Sequence, residues 1–146
     1  MVAHVSTFLP AVPGPALAEP LPQVAPERAR AKVSVVLPLR IVSEANGREH
    51  WRQKAARARL HRATARAVLQ RFARPMHDGV VWIDLVRIAP RQLDGDNLQS
   101  GFKATRDGVA DWLGINDGSP RLQWSYHQRQ GLPKQYAAEV VVMWEL

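Results

Sequence analysis

The run VVWIDLVRIA at residues 80–89 constrains the fold of this chain most, because it is apolar at both odd and even positions. A strand with one solvated face alternates apolar and polar residues, whereas a strand that is apolar at both parities is covered on both faces. Pro90 ends the run, since proline cannot donate a backbone hydrogen bond. We therefore expect an inner strand of a sheet that is covered on both faces.

Two helices are predicted beside this strand. Residues 48–72 contain neither Gly nor Pro and are rich in Ala, Arg, Leu and Gln, which is typical of a long helix. Its apolar side is expected to hold Trp51, Ala58, Ala65, Leu69 and Phe72. Residues 96–113 form a second predicted helix, which Gly101 and Gly108 weaken. One face of it carries Leu98, Phe102, Val109 and Leu113, and the opposite face carries Asp96, Ser100, Lys103 and Asp107.

Three more strands complete the predicted domain. Residues 32–39 are rich in β-branched side chains, and Pro38 indicates an edge strand or a strand end. Residues 121–128 and 136–144 are strand-like and are joined by a loop with Gly and Pro, which predicts a hairpin. The order β-α-β-α-β-β predicts an α/β (α+β) class, with a mixed sheet of about four strands and two main helices. Burial is expected for Trp51, Trp82, Trp112, Trp124 and Trp144.

The N-terminal segment has a different composition. Six of the 11 prolines fall within the first 26 residues, with small residues between them. Residues 1–30 are therefore predicted to be a flexible or polyproline-like tail. A length of 146 residues is that of one compact domain, which we place at residues 31–146.

Composition excludes several classes of protein. The chain has no cysteine, so it has no disulfide framework, thiolate metal site or thiol nucleophile. It has no apolar run of the roughly 18 residues that a spanning helix needs, and its first residues do not resemble a signal peptide. We therefore expect no membrane association and a cytoplasmic location.

Positive charge points to a class of partner. Lys and Arg number 20 against 13 Asp and Glu, and 16 of the 20 are arginine, whose planar fork pairs with phosphate. Nucleic acid is the leading partner, although a GC-rich genome and a solvated surface give the same composition. A narrow stripe along the first helix concentrates five of these arginines, and its alternative interpretation is an exposed, solvated face. The stripe comprises Arg48, Arg52, Arg59, Arg62 and Arg66.

Carboxylates cluster in the C-terminal half. Five aspartates lie within 24 residues, namely Asp94, Asp96, Asp107, Asp111 and Asp117. Carboxylates that are held close together repel each other unless protons or a cation neutralise them, and hard divalent ions bind oxygen ligands of this kind. Asp94 and Asp96 can point to the same side of an extended stretch, and Asp107 lies three helical turns beyond Asp96 on the same face. Asp117 can return to the group from the turn before the next strand.

The sequence DGDN at residues 94–97 has three interpretations. A helix-loop-helix calcium loop is disfavoured, because Leu98 and Gln99 occupy its fifth and sixth positions. The second interpretation is that Asp94 or Asp96 caps the second helix, the other aspartates being surface charges. The third is a metal-dependent nuclease, in which the carboxylates hold one or two Mg²⁺ ions that assist phosphodiester hydrolysis.

The run LDGDNLQSGFKATRDGVADWLGINDGSP resembles the signature of the RusA family of Holliday junction resolvases. That signature has an aspartate, any residue and Asp-Asn-Leu, then a lysine, an aspartate four residues later and a further aspartate beyond the helix. The segment LPLRIVSEANGREHW also resembles the opening of the family, in which a loop with Ser and Asn follows a strand and leads into a basic helix. The resemblance covers residues 32–146 and leaves out the proline-rich tail.

This resemblance implies a homodimeric, Mg²⁺-dependent endonuclease that nicks four-way DNA junctions symmetrically, with Mn²⁺ as an alternative ion. The essential aspartates would be Asp94, Asp96 and Asp117, with Asp107 as a further metal ligand. Lys103 would contact the scissile phosphate, although three additional residues precede it and Ser100 stands at the spacing of the family lysine. Contacts to DNA are expected from Asn46, Arg48, Arg52, Arg59, Arg62 and Arg66. A protein of the same fold that binds DNA without cutting it is the main alternative, and an RNA-directed protein of similar architecture is a second.

Overall fold

The computed structural model describes residues 3–8, 28–44, 50–75 and 78–146. These residues form a mixed α/β domain with five strands and three helices, which confirms the predicted class. The elements are β1 (Ala3–Phe8), β2 (Arg30–Leu37), α1 (Trp51–Leu69), β3 (Val81–Ala89), α2 (Gly95–Gly101), α3 (Lys103–Leu113), β4 (Leu122–Gln130) and β5 (Ala137–Glu145).

The five strands lie in one sheet, in the order β1-β2-β5-β3-β4. Only β3 and β4 pair in parallel, and α2 and α3 supply the crossover that parallel neighbours need. The predicted hairpin of β4 and β5 is wrong, because β5 is inserted between β2 and β3 and is antiparallel to both. The burial pattern explains this placement, because β5 is buried or half-buried on both faces, whereas one face of β4 is exposed along its length.

Strand β1 falls inside the predicted tail. Residues 3–8 pair antiparallel with β2, with Val5 opposite Val33, so the tail prediction is wrong for these six residues. Residues 1, 2 and 9–27 of the tail lie outside the described part of the chain. Strand β2 is consequently an inner strand, and Pro38 marks its end rather than an edge position.

The core lies between one face of the sheet and the helices. Alternate strand residues meet side chains of α1, α2 and α3 there, and burial of this apolar surface is the main stabilising contribution. Its fully buried members include Val33, Ile83, Val140, Phe102 and Val109. On the opposite face Trp82, Asp84 and Val86 are only half-buried, so the expected cover on both faces of β3 is wrong at these positions.

Helix α1 confirms the predicted long helix but packs differently along its length. It begins at Trp51, and the Nδ1 atom of His50 caps it by accepting a hydrogen bond from the backbone N–H of Arg52 at 3.2 Å. Trp51 is 67% exposed and Ala58 is also exposed, so the predicted burial of both is wrong. The buried residues lie in the second half and are His61, Ala65, Val68 and Leu69.

The predicted second helix is present as α2 and α3, which meet at the fully buried Phe102. Its predicted apolar face is buried, as is Trp112. The two glycines that disfavour a helix allow close packing. A Cβ at Gly101 would lie 2.6 Å from the carbonyl oxygen of Val42, and a Cβ at Gly108 would lie 2.4 Å from that of Arg62. Within the described residues, no helix is long and apolar enough to cross a membrane.

Candidate functional site

Asp94 and Asp96 lie at the start of α2, directly after the loop that follows β3. Asp94 occupies the N-cap position with extended backbone angles, but its side chain makes no capping hydrogen bond. Its carboxylate instead accepts a weak hydrogen bond from the side chain of Asn97 at 3.4 Å. Asn97 is itself held by the hydroxyl of Ser43, which donates to its Oδ1 at 2.8 Å. Asp94 therefore occupies the cap position without using its carboxylate as a cap.

A cleft of about 460 Å³ separates the first half of α1 from α2 and α3, and it explains why Ala58 is not buried against the core. Three of the four residues of the predicted polar face line this cleft, namely Ser100, Lys103 and Asp107. The fourth, Asp96, does not line it. The Lys103 ammonium lies 3.6 Å from the Asp107 carboxylate. The other lining residues are Glu44, Lys54, Ala55, Ala58, His61, Gly101 and Ala104.

Asp117 lies in the turn after α3. Asn116 shapes this turn, because its Oδ1 accepts a hydrogen bond from the backbone N–H of Gly118 at 2.9 Å. The turn brings Asp117 to the same small depression as Asp107 and Asp111, which has a volume of about 210 Å³ and is called here the acidic depression. Its remaining lining residues are Arg62, Ala110 and Asn116.

The structure thus brings two of the four predicted metal ligands, Asp107 and Asp117, to one depression. Asp94 and Asp96 are close to each other in sequence at α2 but do not line it. Among the described residues, no group of three or more His, Asp or Glu side chains is placed to hold a metal ion. The donor chemistry nevertheless suits Mg²⁺, since all four candidates offer carboxylate oxygens.

Two arginines of α1 are engaged in ion pairs within the fold. Arg62 donates two hydrogen bonds to Asp111, at 2.7 and 2.9 Å, and holds the pKa of that carboxyl below its usual range. The same contact raises the pKa of the Arg62 guanidinium. Arg57 binds Glu44 through two hydrogen bonds of 2.8 Å and lowers the pKa of the Glu44 carboxyl. These pairs attach α1 to α3 and to the segment after β2.

Three of the predicted DNA-binding residues share a groove of about 290 Å³ on α1, called here the arginine groove. Arg59, Arg62 and Arg66 line it, and Asp111 lies on its wall. Arg52 lies apart from them, with its guanidinium 5.3 Å from the ring centre of Trp51. Asn46 and Arg48 fall outside the described residues.

Arg106 was not predicted as a site residue, yet it organises the surroundings of Asp117. Its Nη2 donates to the Asp117 backbone carbonyl at 2.9 Å, and its Nη1 donates to the hydroxyl of Tyr126 at 2.8 Å. Its Nε lies 3.2 Å from the Asp117 carboxylate, an ion-pair distance without hydrogen-bond geometry. The guanidinium also lies 4.6 Å from the ring centre of Trp124. Its position one helical turn after Lys103 was the sequence signal that could have identified it.

His61 is the second residue that the sequence did not single out. It is 4% exposed and forms part of the wall of the cleft between α1 and α3. Burial lowers the pKa of the imidazole, and the charge of Arg57 lowers it further. Both effects favour the neutral form of the imidazole. Its spacing of four residues from Arg57 places both on one side of α1.

No protein-family model matches the chain, and no curated protein matches it.

Proposed function

We propose that this chain is a Mg²⁺-dependent, structure-selective endonuclease of the RusA type that acts as a homodimer and nicks four-way DNA junctions in pairs. The observation that carries the proposal is the contact between two surfaces of opposite charge. The acidic depression and the arginine groove are contiguous, because Arg62 and Asp111 line both. Arginines that would hold phosphates, beside carboxylates that would hold a metal ion, suit metal-assisted phosphodiester hydrolysis.

The arginine groove would hold the DNA backbone. Arg59 and Arg66 are exposed on α1 and flank Arg62, so a strand in the groove would meet successive guanidinium groups. Such contacts are made to phosphate and carry no base specificity, which suits an enzyme that recognises the shape of its substrate. They also make binding strongly dependent on salt concentration.

Asp107 and Asp117 in the acidic depression, together with Asp94 and Asp96 at the start of α2, would hold the metal ion. Asp94, Asp96, Asp107 and Asp117 offer the hard oxygen ligands that Mg²⁺ or Mn²⁺ prefers. A bound ion supplies an activated water molecule and stabilises charge on the phosphate oxygens. Among the side chains, Lys103 is well placed to neutralise phosphate charge, because it is 72% exposed and held by Asp107. Arg106 fixes the backbone of Asp117 and is a positioning residue.

A DNA-binding protein that does not cut is the second candidate function. The observation in its favour is that each carboxylate of the acidic depression already faces a cation. Asp107 faces Lys103, Asp111 faces Arg62 and Asp117 faces Arg106. Carboxylates that are neutralised in this way have less need of a metal ion.

Junction cleavage by the wild-type protein distinguishes these two functions, and substitution of the carboxylates then tests the assigned site. Asp96→Asn and Asp117→Asn should each reduce Mg²⁺-dependent junction cleavage by more than about 100-fold, because a metal ligand is lost. Both should leave junction binding intact or tighter, since a negative charge near phosphate is removed. Asp78→Asn is the matched control, as Asp78 lies in the turn before β3 and lines neither surface. Wild-type cleavage rates in both site variants would refute the assignment of the site.

A further inference from the structure

A second basic pocket lies on the other side of the segment that precedes α2. It has a volume of about 260 Å³ and is called here the Arg87 pocket. Three arginines, one serine and one tyrosine provide its polar side chains, and none of its eight lining residues is acidic. The lining residues are Arg40, Val42, Ser43, Arg87, Pro90, Arg91, Leu93 and Tyr136.

Arg87 is the buried charge of this pocket. It projects from the helix-facing side of β3 and is only 7% exposed. Its Nε donates to the backbone carbonyl of Ile41 at 2.8 Å, and its Nη1 donates to the backbone carbonyl of Arg91 and to the side chain of Gln128. All three acceptors are neutral, so they orient the guanidinium without cancelling its charge.

Two further arginines, Arg40 and Arg91, line the same pocket and are exposed. Arg40 lies over the ring of Tyr136, 4.1 Å from its centre, which fixes the plane of its guanidinium. Burial lowers the pKa of Arg87, and the positive charge of Arg40 lowers it further. Arginine remains protonated despite such shifts. Within the described residues, none of these three arginines pairs with a carboxylate.

Arg87 is a buried cation without a carboxylate partner, and a buried charge is costly unless a partner or ligand supplies the opposite charge. We propose that the Arg87 pocket binds a backbone phosphate of the DNA strand, at a site separate from the arginine groove. Arginine forks bind phosphate through paired hydrogen bonds, and the pocket presents such groups from three positions.

The location of the pocket relates this phosphate to the proposed cleavage site. Leu93 lines the pocket and directly precedes Asp94 in the chain. Ser43 lines it as well, and its hydroxyl binds Asn97 in the first turn of α2. A strand anchored in the Arg87 pocket would therefore pass Asp94 and Asp96. The inference rests on the proposed DNA partner but not on cleavage, since the pocket would bind phosphate in a protein that does not cut.

Binding of a labelled four-way junction in the presence of a chelator tests this inference without cleavage. Arg40→Ala and Arg91→Ala are combined in one variant, because both side chains are exposed and their loss leaves the hydrogen bonds of the Arg87 side chain in place. We expect the affinity of this variant for the junction to fall at least about tenfold. The slope of log K against log salt concentration should become shallower by the amount that corresponds to the loss of about one phosphate contact. The control combines Arg28→Ala and Arg129→Ala, which removes two exposed arginines that pair with Glu145 and Glu139.

Each outcome of this comparison bears on the pocket. A loss of junction affinity that is confined to the Arg40 and Arg91 double variant supports the proposed phosphate site. This holds whether or not the wild-type protein cuts the junction when Mg²⁺ is restored. Equal weakening in the control variant would overturn it, because the effect would then be one of net charge. Wild-type affinity in the pocket variant, or no junction binding by the wild-type protein, would also overturn it. Junction binding without cleavage at any divalent metal concentration would contradict the proposed nuclease activity but not the proposed phosphate site.

Discussion

The arginines of α1 differ in their partners, and this difference separates structural residues from candidate DNA contacts. Arg57 and Arg62 make two hydrogen bonds each to carboxylates on other segments. Arg59 and Arg66 are exposed, and the described residues contain no carboxylate paired with either. A side chain that is already held by a carboxylate must exchange that partner before it can bind phosphate, whereas Arg59 and Arg66 need no exchange.

Substituting these arginines should therefore have separable effects. Arg59→Ala together with Arg66→Ala should make the salt dependence of junction binding shallower by the amount that corresponds to the loss of about two phosphate contacts. The same double variant should change the free energy of unfolding by less than about 1 kcal/mol. Arg62→Ala should instead leave the salt slope close to the wild-type value, because its guanidinium is held by Asp111, and should lower the free energy of unfolding by at most about 1 kcal/mol, because the pair is partly exposed. Urea unfolding and junction titrations over a range of salt concentrations measure the two quantities. A larger loss of binding from Arg62→Ala than from the double variant would contradict this division.

At the scale of single residues, the sequence predicted where the carboxylates lie along the chain but not their partners. The helical spacing placed Lys103 and Asp107 on one face, and they do line one cleft. The ion pair joins Arg62 of α1 to Asp111 of α3, two residues that are 49 positions apart in the chain, and no local period encodes it. The helical spacing of apolar residues predicts burial of Trp51 only if the whole length of α1 packs on the core. The cleft separates the first half of α1 from α3, so the period does not indicate burial there.

At the scale of elements, the helices and strands were largely predicted, whereas the order of the strands was not. A short loop with Gly131 and Pro133 suggested that β4 and β5 pair, since neighbouring strands in sequence usually pair in space. The decisive signal was in the strands themselves. In β5, Val140 and Val142 face the helices while Val141 and Met143 face the other side, which is typical of an inner strand. Strand β4 alternates instead, with Gln123, Ser125 and His127 exposed, as a strand with one solvated face does.

The packing of α1 on α3 depends on Gly108, where the carbonyl of Arg62 leaves no room for a side chain. Gly108→Ala should lower the free energy of unfolding by about 1–3 kcal/mol, because the two helices must move apart. Gly95→Ala is the matched control in a second helix, since a Cβ there would meet no atom within 4 Å. It should change stability by at most about 1 kcal/mol, in the stabilising direction. Equal destabilisation by both substitutions in urea unfolding would show that helix contact at Gly108 is not the cause.

At the scale of the whole molecule, the helices cover one face of the sheet and the candidate functional surfaces are built on the helical layer and its connections. The acidic depression lies at α3 and the turn after it, with the arginine groove beside it on α1. The Arg87 pocket lies beyond α2, at the ends of β2 and β3. Positive surfaces on two sides of the carboxylates are what a protein needs to hold DNA across a cleavage site.

Cleavage of a labelled synthetic four-way junction by the wild-type protein tests the central claim most directly, with a linear duplex of the same sequence as control. The reaction is followed in Mg²⁺ and in chelator, and both strands of each arm are labelled. We predict paired, symmetric nicks in the junction that require Mg²⁺, and no cutting of the linear duplex. Tight binding of the junction without nicks in Mg²⁺ or Mn²⁺ would contradict the nuclease and favour a DNA-binding protein that does not cut.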